Sequence, residues 1–458
     1  MAVLNWASSR TDTLSPGTTA LLVITTWLLY VTGLAEFYYE YRYGGKYIFE
    51  IEQMHKEFVH DLHQQQRKPF DLFFSHMSIN TRYWPMLADK ALFLESRIQE
   101  YKAQGKAMRL DRAFSAFSAD CIEGICTDDL KPGDGFLYQP DFGPEWYDGL
   151  LGLIRNAPIG EWTAWLSRTV HRHPRLTNYS SLGYIPQRLL LWLFPQGHIA
   201  NKYDERTRTQ IHKAVTQQHL SKDDSSEHIA LFQALAQSNL SPADKTEERL
   251  VKEAKLIFLG GTISTGRTLG FVSYYILSRP YIKARLGGEL RDVMTAWPEV
   301  VPTWIELEKL PYLQAVIKEA LRLTYGFMRR LPRVSPDVAI QYKEYTIPPG
   351  TPLGMNAYLM HSNPEVYQDP DQFAPERWLA EDTKTMQRSY VTFTKGSRSC
   401  LGQDLSMAEI SLVPAVLFRP DGPGMELFET DESDVKHVHN FVVPLPKFDS
   451  LGVRVMVR

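Results

Sequence analysis

One short segment near the end of the chain concentrates the residues that could do chemistry. Residues 393–402 read FTKGSRSCLG, in which Cys400 follows an aromatic residue, a glycine and Arg398 at fixed offsets. The helical run LSMAEISLVPAVLF comes shortly after, and a thiolate at a helix N-terminus is stabilised by the helix dipole and by free backbone N–H groups. Gly396 would allow a tight turn, and Gly402 would let the backbone pack closely against a flat ligand. The segment therefore indicates a stabilised thiolate, with an ordinary buried cysteine as the alternative.

The other two cysteines do not add a second chemical site. Cys121 and Cys126 lie five residues apart in a segment with helical spacing, so they face different directions, and no histidine cluster accompanies them. Three cysteines in 458 residues are too few for a disulfide framework or a four-thiolate metal site. We therefore expect Cys121 and Cys126 to be core residues and Cys400 to act alone.

The complete pattern around Cys400, F-x-x-G-x-R-x-C-x-G, is similar to the signature of the haem-thiolate monooxygenases, and the chain resembles a cytochrome P450. The resemblance implies that Cys400 is the axial ligand of the iron in haem b, with Phe393, Gly396 and Gly402 beside the cofactor. A cysteine thiolate in this position pushes electron density onto the iron and favours O–O cleavage.

A second pair of motifs follows the order that the family has along the chain. Glu319 and Arg322, in EALR, are three residues apart and share one face of a helix, and Arg377 lies in FAPERW. In cytochrome P450s these three positions form a buried ion network. A buried arginine without a partner would be strongly destabilising, so the resemblance implies a structural role for all three. Without it, the E-x-x-R pair would be interpreted as a solvated helix pair.

Four further residues match family positions that bind the haem propionates. His63 and Arg67 lie in HDLHQQQRKPF, Arg333 lies in RLPRVSP, and Arg398 precedes the cysteine. Arginine suits a carboxylate because its planar fork can donate two parallel hydrogen bonds. Taken singly, each arginine would be predicted to be a surface charge.

The segment GGTIST, at residues 260–265, departs from the family pattern. Cytochrome P450s usually have an acid followed by a threonine here, beside the dioxygen site, and this pair relays protons. This chain has Ile263 where the acid belongs and Ser264 where the threonine belongs. Ser264 and Thr265 are therefore the catalytic candidates for proton delivery, with water or a polar group of the substrate as alternatives.

These residues need a scaffold that is mainly helical. Apolar residues recur with helical spacing over Glu247–Leu277 and Leu313–Leu323, which contain the GGTIST and EALR motifs. Short strand-like runs follow, among them Thr351–Met355 and Gly452–Val457. We predict a cytochrome P450 fold of the α+β class, a large helical domain with small β-sheets from the C-terminal third. The net charge of −3 argues against a partner with a strongly negative field, such as a nucleic acid.

The start of the chain predicts membrane attachment. Residues 13–35 carry no charge and include TTALLVITTWLLYVTGLA, just long enough to span a bilayer as a helix, after a short tail at residues 1–12. The aromatic and basic run FYYEYRYGGK follows and suits the cytoplasmic headgroup layer. We expect a single-pass anchor in the endoplasmic reticulum membrane and a cytosolic haem domain over residues 36–458. A cleaved signal peptide is the alternative, but no A-x-A-like site ends the run.

One segment that the family would have is absent. Cytochrome P450s place a proline-rich hinge, at least two β-strands and a substrate-facing loop just before the helix that here reads HDLHQQQR. In this chain Phe58 runs directly into Val59 and His60, so part of the N-terminal β-lobe is apparently missing. Open edges would then remain at Val338–Gln341 and Thr351–Met355, which invites aggregation. The chain is either a genuine shortened variant or the product of a coding-sequence assignment that lost an exon, and we favour the second account.

The segments FYYEYRYGGKYIFEI, GRTLGFVSYYILSRP and VPLPKFDSLGVRVMV make the chain similar to fungal cytochrome P450s of secondary metabolism. The resemblance implies hydroxylation or epoxidation of a small hydrophobic terpenoid or polyketide at a lipid membrane. It also implies dioxygen as oxidant and electrons from NADPH through NADPH–cytochrome P450 reductase. Two alternatives stay open. One is an impaired or inactive haem protein, and the other is a P450-type isomerase, which the missing acid at Ile263 would suit.

Overall fold

The computed structural model describes residues 60–127, 133–152, 154–155, 196–216, 229–328, 333–441 and 443–458. Within these ranges, no helix is both long enough and apolar enough to cross a membrane. The predicted tail at 1–12, the predicted anchor at 13–35 and the junction at 58–59 lie outside them, as does the side chain of His63. What we expect of those residues stays a prediction.

The described residues divide into two compact units, a smaller one with residues 60–65 and 333–353 and a larger one with the other described residues, from 66 to 328 and from 354 to 458. The α-helices in chain order are α1 His60–Asp71, α2 His76–Ser78, α3 Trp84–Gln104, α4 Leu110–Thr127, α5 144–152, α6 Gln196–Thr216, α7 Leu231–Gln237, α8 Glu247–Ser278, α9 Pro280–Val293, α10 Trp304–Glu308, α11 Pro311–Thr324, α12 Ala357–His361, α13 Lys384–Ser389 and α14 Gln403–Phe418. A π-helix spans Ile79–Tyr83, and 3₁₀ turns span Phe136–Tyr138, Pro140–Phe142, Pro375–Leu379 and Glu432–Asp434.

The long helix α8 organises the larger unit. Its N-terminus is capped by the Thr246 side chain, which accepts a hydrogen bond from the Arg249 N–H, and two glutamates in its first turn complement the helix dipole. The helix packs along α4 and also contacts α14. At Gly266 the approach to α4 is so close that a Cβ would lie 2.4 Å from Ser115 Oγ and 2.8 Å from Ser115 Cα. A glycine is therefore required where these two helices cross.

The strands are short and antiparallel. They are β1 Met108–Arg109, β2 Arg333–Val334, β3 Ile340–Tyr342, β4 Tyr345–Ile347, β5 Pro352–Leu353, β6 Met425–Leu427, β7 His439–Phe441, β8 Val443–Leu445 and β9 Arg454–Val457. In the larger unit β9 lies between β1 and β6, with Val455 opposite both Met108 and Leu427, and β7 pairs with β8. In the smaller unit β2 pairs with β5 and β3 pairs with β4. The architecture is mainly helical with small sheets, as predicted.

The β3–β4 hairpin of the smaller unit exposes apolar and aromatic side chains. The exposed fractions of Tyr342 and Tyr345 are 58% and 61%, and that of Val338, two residues before β3, is 67%. Exposed strands rich in such residues are templates for pairing with other chains. Of the two open edges that the sequence predicts, Val338–Gln341 overlaps β3 of this hairpin, whereas Thr351–Met355 contains β5, which pairs with β2.

A buried carboxyl on α14 links that helix to α4. Glu409 is 1% exposed, and its Oε2 accepts a hydrogen bond of 2.6 Å from Ser118 Oγ. Burial raises the pKa of Glu409 from 4.5 to about 8, although the Ser118 hydrogen bond acts in the opposite direction. The carboxyl is therefore protonated in the folded protein at neutral pH, whereas it is ionised in the unfolded chain.

We expect Glu409→Gln to remove a pH-dependent loss of stability. Between pH 5 and pH 8 the unfolded chain has released this proton and the folded chain keeps it. The free energy of unfolding therefore falls by up to about 1.4 kcal/mol for each unit by which the pH rises. Denaturant unfolding at pH 6 and pH 7 measures the difference for wild type and variant, and the exposed-site variant Glu248→Gln is the control. Identical slopes in wild type and Glu409→Gln would contradict the assignment.

Candidate haem-thiolate site

The cysteine loop, residues 393–402, leads directly into helix α14. The Cys400 N–H donates to Phe393 O at 2.9 Å, which closes the loop on itself. Gly396 has a φ of +81°, a left-handed conformation that favours glycine. Gly402 is the residue that precedes the first turn of α14. Local backbone bonding therefore places the Cys400 sulfur just before a helix N-terminus, as the residue pattern predicted.

The Cys400 thiol is exposed, and its pKa lies above the ordinary value, so the protein alone does not provide the stabilised thiolate that the residue pattern predicted. Surrounding protein desolvates the thiol and so raises its pKa above the ordinary value, while the Gly402 N–H and the Arg67 guanidinium lower it and Asp404 raises it. A coordinated metal ion deprotonates a thiol outright. Cys400 thus has the accessibility of a ligand, and a metal would supply the remaining stabilisation of its thiolate.

Arg67 reaches the cysteine loop from the other end of the sequence. Its Nη1 donates to Ser399 O at 2.6 Å, and its Nε donates to Asp71 Oδ1 at 3.0 Å. The first contact joins residues that are 332 positions apart. A fixed positive charge therefore lies next to the cysteine.

The other predicted propionate ligands are only partly brought together. Arg398 belongs to the cysteine loop, and its carbonyl accepts a hydrogen bond of 3.2 Å from Thr394 Oγ1. Arg333 begins β2 in the smaller unit. His63 lies on α1, and its side chain is outside the described residues. The larger unit thus collects Arg67 and Arg398 at one loop.

On helix α8, Ser264 faces open space. Its Oγ donates to Gly260 O at 2.7 Å, one turn earlier, and the Ser264 side chain is exposed. A Cβ placed on Gly260 would meet no atom within 4 Å. The small residue and the hydroxyl therefore border the same accessible face of the helix.

Thr265, by contrast, faces inward. It is 3% exposed, and its Oγ1 lies 3.1 Å from Ser406 Oγ on the first turn of α14. The pair ties the helix that carries Ser264 to the helix that follows Cys400. Of the two hydroxyl residues that we predicted for proton delivery, only Ser264 lies on the open face. Ser406 was not singled out from the sequence, because a serine in a helical run carries no signal of a tertiary partner.

Ile263, at the position where the family has an acid, is part of an apolar cluster. It is 2% exposed and packs with Tyr147, Leu150, Ile154 and Leu445. A carboxylate would be strongly disfavoured among such neighbours. The isoleucine at position 263, where the family usually has an acid, therefore matches its apolar neighbours.

The donor set and the free space fit a haem. Cβ atoms on Gly396 and Gly402 would meet nothing within 4 Å, so the loop leaves room for a flat group. Within the described ranges, no three His, Cys, Asp or Glu side chains cluster to hold a bare metal ion. A porphyrin needs only one protein sulfur for its iron, because the macrocycle supplies four nitrogen ligands. Cys400 could be that ligand.

The residues of EALR and FAPERW meet in the core of the larger unit. Glu319 and Arg322 are both 0% exposed, with Arg322 Nε and Nη2 donating to Glu319 at 2.9 and 2.8 Å. Arg377 Nε donates to the same carboxylate at 3.0 Å, and so does Trp378 Nε1 at 2.9 Å. Arg322 also donates to the His361 carbonyl at 2.8 Å. The three predicted partners are thus brought together, and Trp378, the tryptophan at the end of FAPERW, adds a donor that the sequence reasoning missed.

A family model described as cytochrome P450 matches residues 171–419, just over half of the chain. The chain belongs to the cytochrome P450 family. Cytochrome P450 monooxygenase oblB of Emericella variicolor is 38% identical over 483 residues, covering 93% of this chain and 86% of the relative. The fusicoccadiene C-8 hydroxylase of Phomopsis amygdali is 41% identical over 402 residues, covering 87% and 74%. The predicted family and the predicted enzyme class, a cytochrome P450 monooxygenase, are confirmed.

The fold is confirmed by a solved structure. The crystal structure of a cytochrome P450, CYP102L1, matches with a TM-score of 0.62 at 16% identity, over 87% of this chain and 79% of that one. Identity this low reports on the fold alone. Cytochrome P450s carry a haem-thiolate group and generally act with a reductase partner, dioxygen and hydrophobic substrates, and these general properties apply to this P450.

Proposed function

We propose that this P450 hydroxylates or epoxidises a hydrophobic secondary metabolite, a terpenoid or polyketide. It would use haem b, dioxygen and electrons from NADPH delivered by NADPH–cytochrome P450 reductase. The observation that carries the proposal is the exposed Cys400 thiol, placed by the cysteine loop at the start of α14. A relative named fusicoccadiene C-8 hydroxylase, and another named stellatic acid synthase that is 32% identical, support this substrate class.

Different residues of this chain would bind the haem, line it and hold a proton beside it. When bound, the haem would supply the oxidising chemistry, and the Cys400 sulfur would hold its iron. Phe393, Gly396 and Gly402 would line it, and its propionates would accept hydrogen bonds from His63, Arg67, Arg333 and Arg398. Ser264 Oγ would hold the proton that the reaction consumes, since it is on the open face of α8 beside Gly260. Thr265, on the buried side of α8, would hold the helix in position through its hydrogen bond with Ser406.

We also propose that the protein is anchored in a membrane and that the chain lacks a segment near residues 58–60. Residues 13–35 would anchor the protein in the endoplasmic reticulum membrane, in contact with lipid, with residues 36–458 in the cytosol.

The alignment with the Emericella variicolor relative extends over 483 positions, more than the 458 residues of this chain, so the relative has residues that this chain lacks. The exposed β3–β4 hairpin supports a loss near residues 58–60. Transcript sequencing across the codons for Phe58, Val59 and His60 tests whether an exon was omitted.

Ser264→Ala is the variant that tests the proposed reaction. Full-length protein in membranes with the reductase and NADPH is expected to convert a terpenoid or polyketide substrate, and Ser264→Ala is expected to lower the rate by roughly 100-fold, the lower range for a positioned proton donor. Product formation and NADPH consumption are measured together. Thr262→Ala is the matched control, because its hydroxyl bonds one turn back in the same way, at 2.6 Å to Phe258 O, but is buried. Equal activity in Ser264→Ala and wild type would remove Ser264 from the mechanism.

A P450-type isomerase is the second candidate function, favoured by the apolar cluster around Ile263. It would bind substrate and haem without consuming NADPH. A rearranged product of unchanged mass in the absence of NADPH would favour it over the monooxygenase. Bound haem without any product would identify an impaired P450, and no bound haem would eliminate both functions.

A further inference from the structure

A small cavity lined by both charged and apolar side chains lies in the larger unit, apart from the cysteine loop. Its volume is about 40 Å³, and α4, α5, α8 and β8 contribute to its wall. One water needs roughly 10–15 Å³ of such space, so the cavity can hold a few waters or one small polyatomic ion. Its ionisable lining residues are Arg109, Arg155, Arg267, Asp111, Asp434 and Tyr147. No residue of the cysteine loop contributes to it.

The acidic residues of the cavity are already occupied by protein donors. Asp111 accepts hydrogen bonds from Arg109 Nη2 at 2.8 Å and from the Tyr147 hydroxyl at 2.6 Å. Asp434 accepts a hydrogen bond from Ser450 Oγ at 2.8 Å, and Lys447 Nζ lies 3.9 Å from it. Among the described residues, these carboxylates therefore accept hydrogen bonds from other donors and not from Arg155 or Arg267.

The other two arginines of the lining, Arg155 and Arg267, have N–H groups that do not donate to any described residue. Among the residues that the structure describes, Arg267 has no hydrogen-bond or ion-pair partner. Within the same described residues, Arg155 makes a long bond of 3.4 Å to the Phe448 carbonyl and lies over the Phe448 ring at 5.5 Å, while its Nε has no hydrogen-bond partner. Burial lowers the pKa of Arg267, and repulsion from Arg155 lowers it further, while Tyr147 and Asp111 act in the opposite direction. The cavity wall thus presents two guanidinium groups that repel each other.

Arg155 and Arg267 are half-buried. A guanidinium stays charged in proteins, so one that is partly removed from water is stabilised by an anion or by well-placed acceptors. Two of them around one small cavity suit an oxyanion, whose oxygens accept charge-assisted and forked hydrogen bonds. We propose that Arg155 and Arg267 bind a small oxyanion, a phosphate or a carboxylate, in this cavity.

Calorimetric titration of the full-length, haem-loaded protein tests the proposal. Inorganic phosphate and acetate are titrated separately, in sodium chloride at constant ionic strength. One saturable site per chain is expected. Stronger binding of phosphate identifies a phosphate ligand, and equal or stronger binding of acetate identifies a carboxylate ligand. The thermal unfolding midpoint should rise with the concentration of the same anion, because a ligand that binds only the folded state stabilises it.

Single replacements of the two arginines locate the site. Arg267→Gln and Arg155→Gln are each expected to weaken anion binding at least tenfold. Arg285→Gln, at an arginine whose side chain is 51% exposed, is the matched control and should bind as wild type does. Absence of a saturable site in the wild-type protein overturns the proposal, and so does unchanged binding in both cavity variants. If Arg267→Gln does not fold, the wild-type titration and Arg155→Gln still decide the matter.

Discussion

Cys400→Ala is expected to abolish the haem-thiolate spectrum completely. The thiol is the exposed cysteine that the loop presents at the start of α14, and the sulfur is the only atom of its side chain that can ligate iron. Alanine fits the same loop conformation, because the bond between the residue 400 N–H and Phe393 O belongs to the backbone. The protein should therefore fold, yet show no reduced-CO band of the haem-thiolate type.

Cys126→Ala is the matched control for that experiment. Cys126 is fully buried, and burial raises the pKa of its thiol well above the ordinary value, so it is an inert core residue. Its replacement should leave the spectrum unchanged at the cost of a small loss of stability. A haem-thiolate band that persists in Cys400→Ala, or that disappears in Cys126→Ala alone, would refute the assignment of the ligand.

Glu319→Ala is expected to have the largest effect on stability. The carboxylate is fully buried and accepts hydrogen bonds from Arg322, Arg377 and Trp378 and from the Ala374 N–H at 2.9 Å. Its loss leaves the buried Arg322 charge without a counter-ion, which typically costs about 3–5 kcal/mol. Against a total stability of roughly 5–15 kcal/mol, this loss leaves a protein at the lower end of that range marginally stable, and it should lower the yield of haem-loaded protein.

Denaturant unfolding and the yield of haem-loaded protein measure the loss. Glu248→Ala is the control, because it removes a glutamate from an exposed i,i+4 pair with Lys252 and should change stability little. Glu319→Gln keeps the size of the side chain and removes its charge, so it should fall between wild type and alanine. A Glu319→Ala protein as stable as Glu248→Ala would show that the network does not support the fold.

The sequence alone determined the features that depend on residue type and local spacing. The ten residues around Cys400 specify a turn at Gly396 and a helix after Gly402, because left-handed φ and helix starts are local preferences. Helical periodicity likewise placed the helix that begins at Glu247, observed as Glu247–Ser278. The E-x-x-R spacing put two charges on one face of α11 for the same reason.

Tertiary structure alone decided which of these groups meet. Ser264 and Thr265 are adjacent in sequence, yet one faces open space and the other contacts Ser406, because successive helix positions point in different directions. The pairing of Arg155 and Arg267 at one cavity likewise depends on how separate elements pack. Contacts between residues more than a hundred positions apart in sequence depend on how elements pack, and a local segment specifies only one of the two packed surfaces. Local spacing therefore predicted a cysteine just before a helix N-terminus, and packing decided which of two neighbouring hydroxyls lies on the accessible face of α8.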